Sequence, residues 1–124
     1  MKKNILLEEV EFPISSKLAR VVGIKESIVL RYINKCLLEN EEKGINYIDG
    51  RYWVQKSIKG WQKEVFSFWN ENTVKRVFSS LQSRGILIGC KLSKGDFDHT
   101  KWYTIDYEEL DYIISVADKN KVYL

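Results

Sequence analysis

The segment 71–84 constrains the fold of this chain most, because an amphipathic helix pattern there is followed at once by a hairpin pattern. The apolar residues of one helix face recur at positions i, i+3, i+4 and i+7, and they are Val74, Val77, Phe78 and Leu81. Asn70 is a good N-cap for this helix, and Gly85 is a good residue to follow its end. The β-branched and aromatic residues of 86–92 and 100–105 then predict two strands.

The remaining patterns predict more helices before and after this unit. They are helices at 14–22, 25–40, 58–65 and 107–117, and a short strand at 52–54. Ser15 or Ser16 is expected to cap the first helix and Ser57 the third. We expect 39–44 to be an acidic exit and 45–50 a connector that ends in an Asp-Gly turn. The order predicts an α+β fold, mainly α, namely a winged helix-turn-helix with a C-terminal β-hairpin wing and flanking helices.

A length of 124 residues and a hydrophobic fraction of 44% favour one folded domain rather than a disordered chain. We divide the chain into an N-terminal extension (1–13), a winged-helix domain (14–110), and the end of the last helix with a tail (111–124). The four tryptophans are interpreted mainly as core residues, and they are Trp53, Trp61, Trp69 and Trp102. The chain has neither a membrane-length apolar run nor a signal-peptide pattern, so we expect a cytoplasmic protein without a membrane partner.

The residues that usually carry chemistry are few and scattered. Cys36 and Cys90 lie in a helix pattern and a strand pattern, and we interpret both as reduced structural cysteines. His99 is the only histidine, so no cluster has the spacing of metal ligands. The sequence contains no phosphate-binding Gly-Lys-Ser/Thr loop. We therefore expect no enzyme activity, no cofactor and no metal.

The polar face of the predicted helix 71–84 has the residue types that contact DNA. At 100° per residue, the side opposite the apolar face carries Asn72, Lys75, Arg76, Ser79 and Ser83, with Thr73 and Ser80 on its flank. Asn and Arg can read base edges with two hydrogen bonds, whereas Ser, Thr and Lys suit phosphates. Taken by itself, this face is equally compatible with an ordinary solvated helix surface.

The neighbouring segments favour nucleic acid over an ordinary surface. The net charge is only +3, but basic residues gather between 56 and 101, while acidic residues gather at 8–11, 39–42 and 108–111. Lys56, Lys59 and Lys63 precede the helix, and Lys91, Lys94, His99 and Lys101 lie in the hairpin. The predicted DNA-contacting residues are Lys59, Asn72, Thr73, Lys75, Arg76, Ser79, Ser83, Lys94 and Lys101.

Several stretches together form a recognisable pattern: Asp-Gly-Arg-Tyr-Trp-Val at 49–54, the aromatic and polar run 66–78, and 81–87. The most specific is Asp-His-Thr-Lys-Trp-Tyr-Thr-Ile-Asp-Tyr at 98–107. These residues resemble the N-terminal winged-helix domain of phage replisome-organiser and replication-initiation (DnaD-like) proteins. The resemblance covers about residues 14–110.

This resemblance implies a domain that binds origin DNA. By position, Thr73, Lys75 and Arg76 would begin the recognition helix, and Lys101 and Trp102 would belong to the returning strand of the wing. Proteins of that family also have a C-terminal region that engages the replicative helicase or its loader, and these 124 residues do not include it. We therefore expect either a fragment of a longer replication protein or a domain that works alone.

The function predicted from the sequence is sequence-specific binding of double-stranded DNA in phage or plasmid replication initiation or its control. The alternative is a stand-alone transcriptional repressor, or a phage-encoded inhibitor that binds a host protein such as a bacterial defence protein. The short chain, the acidic patches and the tyrosine-rich last helix (Tyr107 and Tyr112) favour the protein-binding alternative. The sequence leaves open the DNA site, any host or replisome partner, and homodimer formation through the last helix or segment 5–12.

Overall fold

The computed structural model describes residues 14–92 and 100–120, and the predicted N-terminal extension 1–13 lies outside these ranges. The described helices are α1 (Ser16–Val22), α2 (Ile24–Lys43), α3 (Ile58–Gly60, continued by a π-helical turn Trp61–Val65), α4 (Glu71–Ser83) and α5 (Tyr107–Asn120). The described strands are β1 (Tyr47–Ile48), β2 (Arg51–Tyr52), β3 (Val54–Gln55), β4 (Leu87–Cys90) and β5 (Trp102–Ile105). The fold is therefore mixed and mainly helical, with small antiparallel sheets.

Three helices, α1, α3 and α4, begin at side chains that cap them, as their sequences predict. The Ser15 hydroxyl accepts a hydrogen bond from the Leu18 amide at 3.3 Å. Asn70 Oδ1 accepts one from the Thr73 amide at 2.8 Å, and this bond fixes the start of α4. Gly85, just beyond the end of α4, has a φ of 75°, a left-handed conformation in which glycine is favoured.

The segment 45–50 is not the plain connector that its sequence indicated, because it contains β1 of a small hairpin. Ile48 pairs with Arg51 across a two-residue turn. Asp49 and Gly50, the two turn residues, have φ values of 52° and 79°. Positive φ at both central positions is the geometry that Asp-Gly turns favour between twisted strands. The two strands are only two residues long, which is too short for an alternating sequence pattern to reveal them.

Two helices also differ from their predicted form. Helix α2 continues to Lys43, so the predicted acidic exit at 39–44 is mostly helical. Glu and Lys are good helix formers, and Gly44 ends the helix with a φ of 66°. Helix α3 changes from α to π geometry at Trp61, and the Phe66 amide donates to the Trp61 carbonyl oxygen at 2.8 Å.

The hairpin that follows α4 lies in a three-stranded antiparallel sheet. The strand order is β3-β5-β4, so the short β3 pairs with the returning strand of the hairpin. Leu87 pairs with Ile105, and Val54 pairs with Tyr103. The start of α3 and the segment from Lys75 to Gln82 of α4 lie near Tyr103 of β5, although these segments are distant in sequence.

An aromatic cluster joins α3, α4 and β5 in the core. The Phe78 ring centroid lies 5.6 Å from that of Trp61 and 5.1 Å from that of Tyr103. Trp61 is fully buried and Trp53 is 5% exposed, which confirms their prediction as core residues. Trp69 and Trp102 are only half-buried, so the core prediction holds for them in part.

Helix α1 is held to the rest of the domain by side chains from distant segments. The Arg84 guanidinium donates to the Val22 carbonyl oxygen at 2.8 Å and to the Val21 carbonyl oxygen at 3.3 Å. These bonds satisfy carbonyl groups at the end of α1 that have no partner within the helix. Lys17 Nζ lies 2.8 Å from Asp118 Oδ2, so the other end of α1 is tied to α5.

Candidate nucleic-acid interface

Helix α4 separates an apolar face from a polar face as its sequence predicts. The apolar residues Val74, Val77, Phe78 and Leu81 are at most 4% exposed. The predicted DNA-contacting residues of the other face are exposed, except the half-buried Thr73, and the exposed ones are Asn72, Lys75, Arg76, Ser79 and Ser83. The helix is thus anchored by one face and presents the other to solvent, which is the arrangement a reading helix requires.

A hollow of about 200 Å³ lies where α4 meets α3 and β5, and we call it the basic hollow. Its lining residues are Ser57, Ile58, Lys75, Phe78, Ser79, Gln82, Lys101 and Tyr103. Three of the predicted DNA-contacting residues, Lys75, Ser79 and Lys101, therefore line one site. Lys75 and Lys101 are 26 positions apart in sequence and come together because β5 lies beside α4.

The chemistry of the basic hollow suits a phosphate group. Two ammonium groups, three hydroxyl groups (two of serine and one of tyrosine) and one amide belong to its lining residues, and none of its described lining residues is acidic. Ammonium, hydroxyl and amide groups are the usual donors to phosphate oxygens in protein–DNA complexes. The Ser57 hydroxyl oxygen accepts from the Gly60 amide at 3.0 Å, so the hydroxyl hydrogen is still available to donate.

Rigid core residues form the floor of the basic hollow. Phe78 and Tyr103, each 1% exposed, belong to both the hollow and the aromatic cluster. Gly89 permits this packing, since a Cβ atom there would lie 2.6 Å from Gln82 Nε2 and 2.9 Å from Tyr103 Cε1. A floor made of close-packed rings holds the polar groups around it in fixed relative positions.

Sequence reasoning missed Gln82 and Ser57 as members of this site. Gln82 lies seven positions after Lys75 and three after Ser79, so the helical periodicity alone could have placed it on the same side. Ser57 was predicted only as a helix cap, a role that it does have. Its second role depends on the distance between α3 and β5, and no local pattern contains that distance.

Other predicted residues lie outside the basic hollow. Lys59 is exposed on α3, while Asn72 and Arg76 are exposed on α4 beyond the hollow. The Ser83 hydroxyl donates to the Ser80 carbonyl oxygen at 2.9 Å, so its hydrogen is turned toward its own helix. Lys94 falls in 93–99, outside the described residues.

The charge of α3 is lower than the lysine count of its segment indicates. Lys56, just before the helix, forms an ion pair with Glu64. Its Nζ also lies 5.6 Å from the centre of the Trp61 ring. Lys59 and Lys63 are exposed, so they are the lysines of α3 that a binding partner can reach from the solvent.

The buried hydroxyl of Tyr103 should make the stability of the domain depend on pH in the alkaline range. Burial raises the pKa of Tyr103 to about 12, above its ordinary value of 10.0. The pKa of Tyr103 is higher in the folded chain than in the unfolded chain, so ionisation of Tyr103 favours unfolding. The stability associated with its neutral, buried hydroxyl is therefore complete below pH 10 and is lost as the pH rises toward 12. We expect Tyr103→Phe to flatten the fall of unfolding free energy between these pH values, measured by urea denaturation. A fall of unchanged steepness in the variant would contradict the assignment.

The described residues contain few other side chains that could serve as nucleophiles or metal ligands. Cys36 and Cys90 are free thiols, both half-buried, and burial raises the pKa of Cys36. Across 14–92 and 100–120, no group of three or more His, Cys, Asp or Glu side chains is placed to hold a metal ion. In the same ranges no helix has both the length and the apolar character needed to cross a membrane.

Comparison with known proteins identifies one similarity, and it concerns the fold. The chain is similar to a solved structure described as the N-terminal domain of a DNA-binding protein, with a TM-score of 0.54 and 13% sequence identity. The match covers 98% of this chain and 95% of that chain. No family model matches the chain, and neither does any curated protein. At this level of identity the similarity establishes a shared fold.

Proposed function

We propose that this protein binds double-stranded DNA and that its domain is a winged helix in which α4 is the recognition helix. In this proposal α4 enters the major groove with Asn72 and Arg76 toward base edges. The β4–β5 hairpin is the wing and contacts the adjacent backbone. Helix α3 supplies Lys59 to a phosphate on the near side of the groove.

The basic hollow is the observation on which the proposal depends. It gathers Lys75 and Ser79 of α4 and Lys101, which directly precedes β5, around one hollow beside the exposed face of α4. A backbone phosphate held in this hollow would fix the position of α4 along the groove. Asn72 lies three positions before Lys75 on α4, and Arg76 directly follows it, so both would then be oriented toward the bases.

Two further observations support DNA as the partner. The order of elements is two successive helices, then a hairpin, with a third strand paired to β5, and this order supports the proposal of a winged helix-turn-helix. The similar solved structure is itself the N-terminal domain of a DNA-binding protein. We further propose a role in phage or plasmid replication initiation or its control. The resemblance of residues 49–54, 66–78, 81–87 and 98–107 to replication-initiation proteins supports this role.

The salt dependence of binding to a random duplex tests the proposal. We expect the affinity for a labelled duplex of about 30 base pairs, measured by fluorescence anisotropy, to fall about 10³-fold between roughly 50 and 200 mM salt if about six phosphates are contacted. The physical reason is the release of counterions from each phosphate that a lysine or arginine neutralises.

A matched lysine pair controls this measurement. Lys59→Ala should weaken binding to every sequence and lower the salt slope by about one. Lys43→Ala, at the exposed end of α2, removes the same charge away from α4 and should leave the slope unchanged. Absence of binding at low salt would contradict DNA as the partner and favour the protein-binding alternative.

A further inference from the structure

An apolar groove runs along α2 on a part of the domain that does not include the basic hollow, and we call it the α2 groove. Its volume is about 680 Å³, and its apolar lining includes Leu18 of α1, Ile28 and Leu38 of α2, and Leu110 of α5. Leu38 is 54% exposed although it lies on the wall of this groove. A groove of this size with a leucine so exposed leaves apolar surface that a helix of another molecule can bury.

The charged residues along the α2 groove change sign from its start to its end. Arg31 and Lys35 line it first, and Glu39 and Glu42 follow. All four side chains are exposed, and none of them forms an ion pair with another residue of 14–92 or 100–120. They are therefore available to a partner whose charges run in the opposite order, acidic first and basic second.

The outer side of α5, which faces solvent, has this complementary chemistry. The exposed residues of this side recur at spacings of three and four, and they are Glu108, Asp111, Tyr112, Ser115, Val116 and Lys119. Tyr112 is 64% exposed and Val116 is 38% exposed, so two neighbouring apolar side chains remain open to solvent. The acidic residues of this side come first and Lys119 comes last, which is the order that the α2 groove requires.

The spacing of the charges agrees as well as their order. The charged ends are eleven positions apart on both helices, from Arg31 to Glu42 on α2 and from Glu108 to Lys119 on α5. At 1.5 Å per residue this separation is about 16 Å along each helix. Leu38 falls between the charged ends of α2. The two helices can therefore pair charges at both ends and apolar side chains between them, provided that they run in the same direction.

Two-fold symmetry supplies this direction when the second helix comes from a second copy of the chain. Within one copy, α5 begins beside the middle of α2, where the Tyr107 hydroxyl donates to Asn34 Oδ1 at 2.6 Å. It ends beside α1, where Asp118 pairs with Lys17, and α1 lines the groove together with the early part of α2. Helix α5 thus runs opposite to α2. Across a two-fold axis between two α5 helices, the second α5 is antiparallel to the first, so it runs in the direction of α2.

We propose that two copies of this chain form a symmetric dimer in which α5 of each copy packs into the α2 groove of the other. The acidic start of the second α5 then lies near Lys35, and the partner's Lys119 lies near Glu42. The partner's Val116 covers the exposed Leu38. The same contact is made twice in the dimer, and the inference does not depend on DNA binding.

Sedimentation velocity of the full chain tests the proposal. We expect the sedimenting mass to rise toward twice that of the chain as the protein concentration rises from about 1 to about 100 µM. Lys35→Glu and Asp111→Lys should each raise the dissociation constant at least about tenfold, because each change places like charges opposite one another. Both side chains are exposed, so neither change removes a core contact, and far-UV circular dichroism checks that the fold is retained.

Combining the two charge reversals in one chain separates a direct contact from a general effect on the surface. The variant that carries both Lys35→Glu and Asp111→Lys again has opposite charges across the interface. Its dissociation constant should return to within about threefold of that of the unmodified chain, as expected for two residues that interact.

Matched controls change the same residue types outside the interface. Lys25→Glu reverses an exposed lysine of α2 that does not line the groove, and Tyr47→Ala removes an exposed tyrosine of β1. Both should leave the dimer unchanged, whereas Tyr112→Ala should weaken it at least about tenfold. A chain that stays monomeric up to about 100 µM would overturn the proposal and leave the groove to a different protein. A dimer that survives both single charge reversals, or that the double variant fails to restore, would overturn it as well.

Discussion

Replacing Trp61 with alanine is expected to lower the free energy of unfolding by about 3–5 kcal/mol. Trp61 is fully buried, and its ring contacts four other aromatic rings, those of Tyr32, Phe66, Phe78 and Tyr103. Truncation would leave a cavity between α3, α4 and β5 that these rings cannot fill by a simple shift. Since domains of this size have a total stability of about 5–15 kcal/mol, the change is a large share of it. Urea denaturation followed by circular dichroism measures the effect.

Trp61→Phe provides the matched control for this prediction. The indole Nε1 of Trp61 is buried and has no hydrogen-bond partner among the described residues. An unsatisfied buried donor costs about 1–3 kcal/mol, so its removal offsets part of the loss of packing in the phenylalanine variant. We therefore expect Trp61→Phe to be clearly more stable than Trp61→Ala. Equal destabilisation by both changes would contradict this expectation, because phenylalanine keeps an aromatic ring in the cluster whereas alanine leaves a cavity.

The helices of this fold could be predicted because their signals are local. Val74, Val77, Phe78 and Leu81 define one face of α4, and Asn70 defines its start, so the helix was predicted at 71–84 and lies at Glu71–Ser83. The strands of the hairpin, predicted at 86–92 and 100–105, lie at Leu87–Cys90 and Trp102–Ile105. In each case the residues that determine the element are part of it or next to it.

Two local features of the structure were missed by sequence reasoning, a π-helical turn and a short hairpin, and each has contacts to distant segments. The π-helical turn at Trp61 lies where the indole packs against Phe78 and Tyr103, which are 17 and 42 positions away. The hairpin of β1 and β2 is held to α2, as Asn40 Nδ2 donates to the Trp53 carbonyl oxygen at 2.7 Å. No periodicity within a short window encodes the contacts of the π-helical turn. The β1–β2 hairpin is itself local, and it was missed because its strands are only two residues long, although Asp49-Gly50 is a hairpin turn signal.

The candidate site was predictable in its residue types but not in its shape. The polar face of α4 follows from helical periodicity, and Lys101 was selected for its charge in the hairpin and for its place in the resemblance at 98–107. The pairing of β5 with both β3 and β4 brings Lys101 beside Lys75 and adds Ser57 to the same hollow. Sequence reasoning therefore identified basic residues, and the sheet order determined which of them lie together.

Two neighbouring residues of α4 are expected to affect DNA binding in different ways. Arg76→Ala should cost about 1–3 kcal/mol in binding to the preferred site and relax the preference at one base position, because an arginine that reads a guanine forms two directed hydrogen bonds. Lys75→Ala should weaken binding to all sequences alike and lower the salt slope by about one, because Lys75 borders the basic hollow, where we place a phosphate. Site selection from a random duplex pool, followed by anisotropy titrations at several salt concentrations, measures both effects.

Arg51→Ala is the matched control, since Arg51 is an exposed arginine in β2, away from α4 and the basic hollow. It should leave both the affinity for the preferred site and the base preference unchanged. If Arg76→Ala weakened all duplexes equally, Arg76 would be a phosphate contact and the base readout would have to come from other residues of α4. If neither Arg76→Ala nor Lys75→Ala changed binding while the duplex still bound in a salt-dependent way, α4 would not be the recognition helix. The opposite behaviour of these two adjacent side chains, base preference at one and salt slope at the other, is what a helix seated in the major groove beside an anchored phosphate requires.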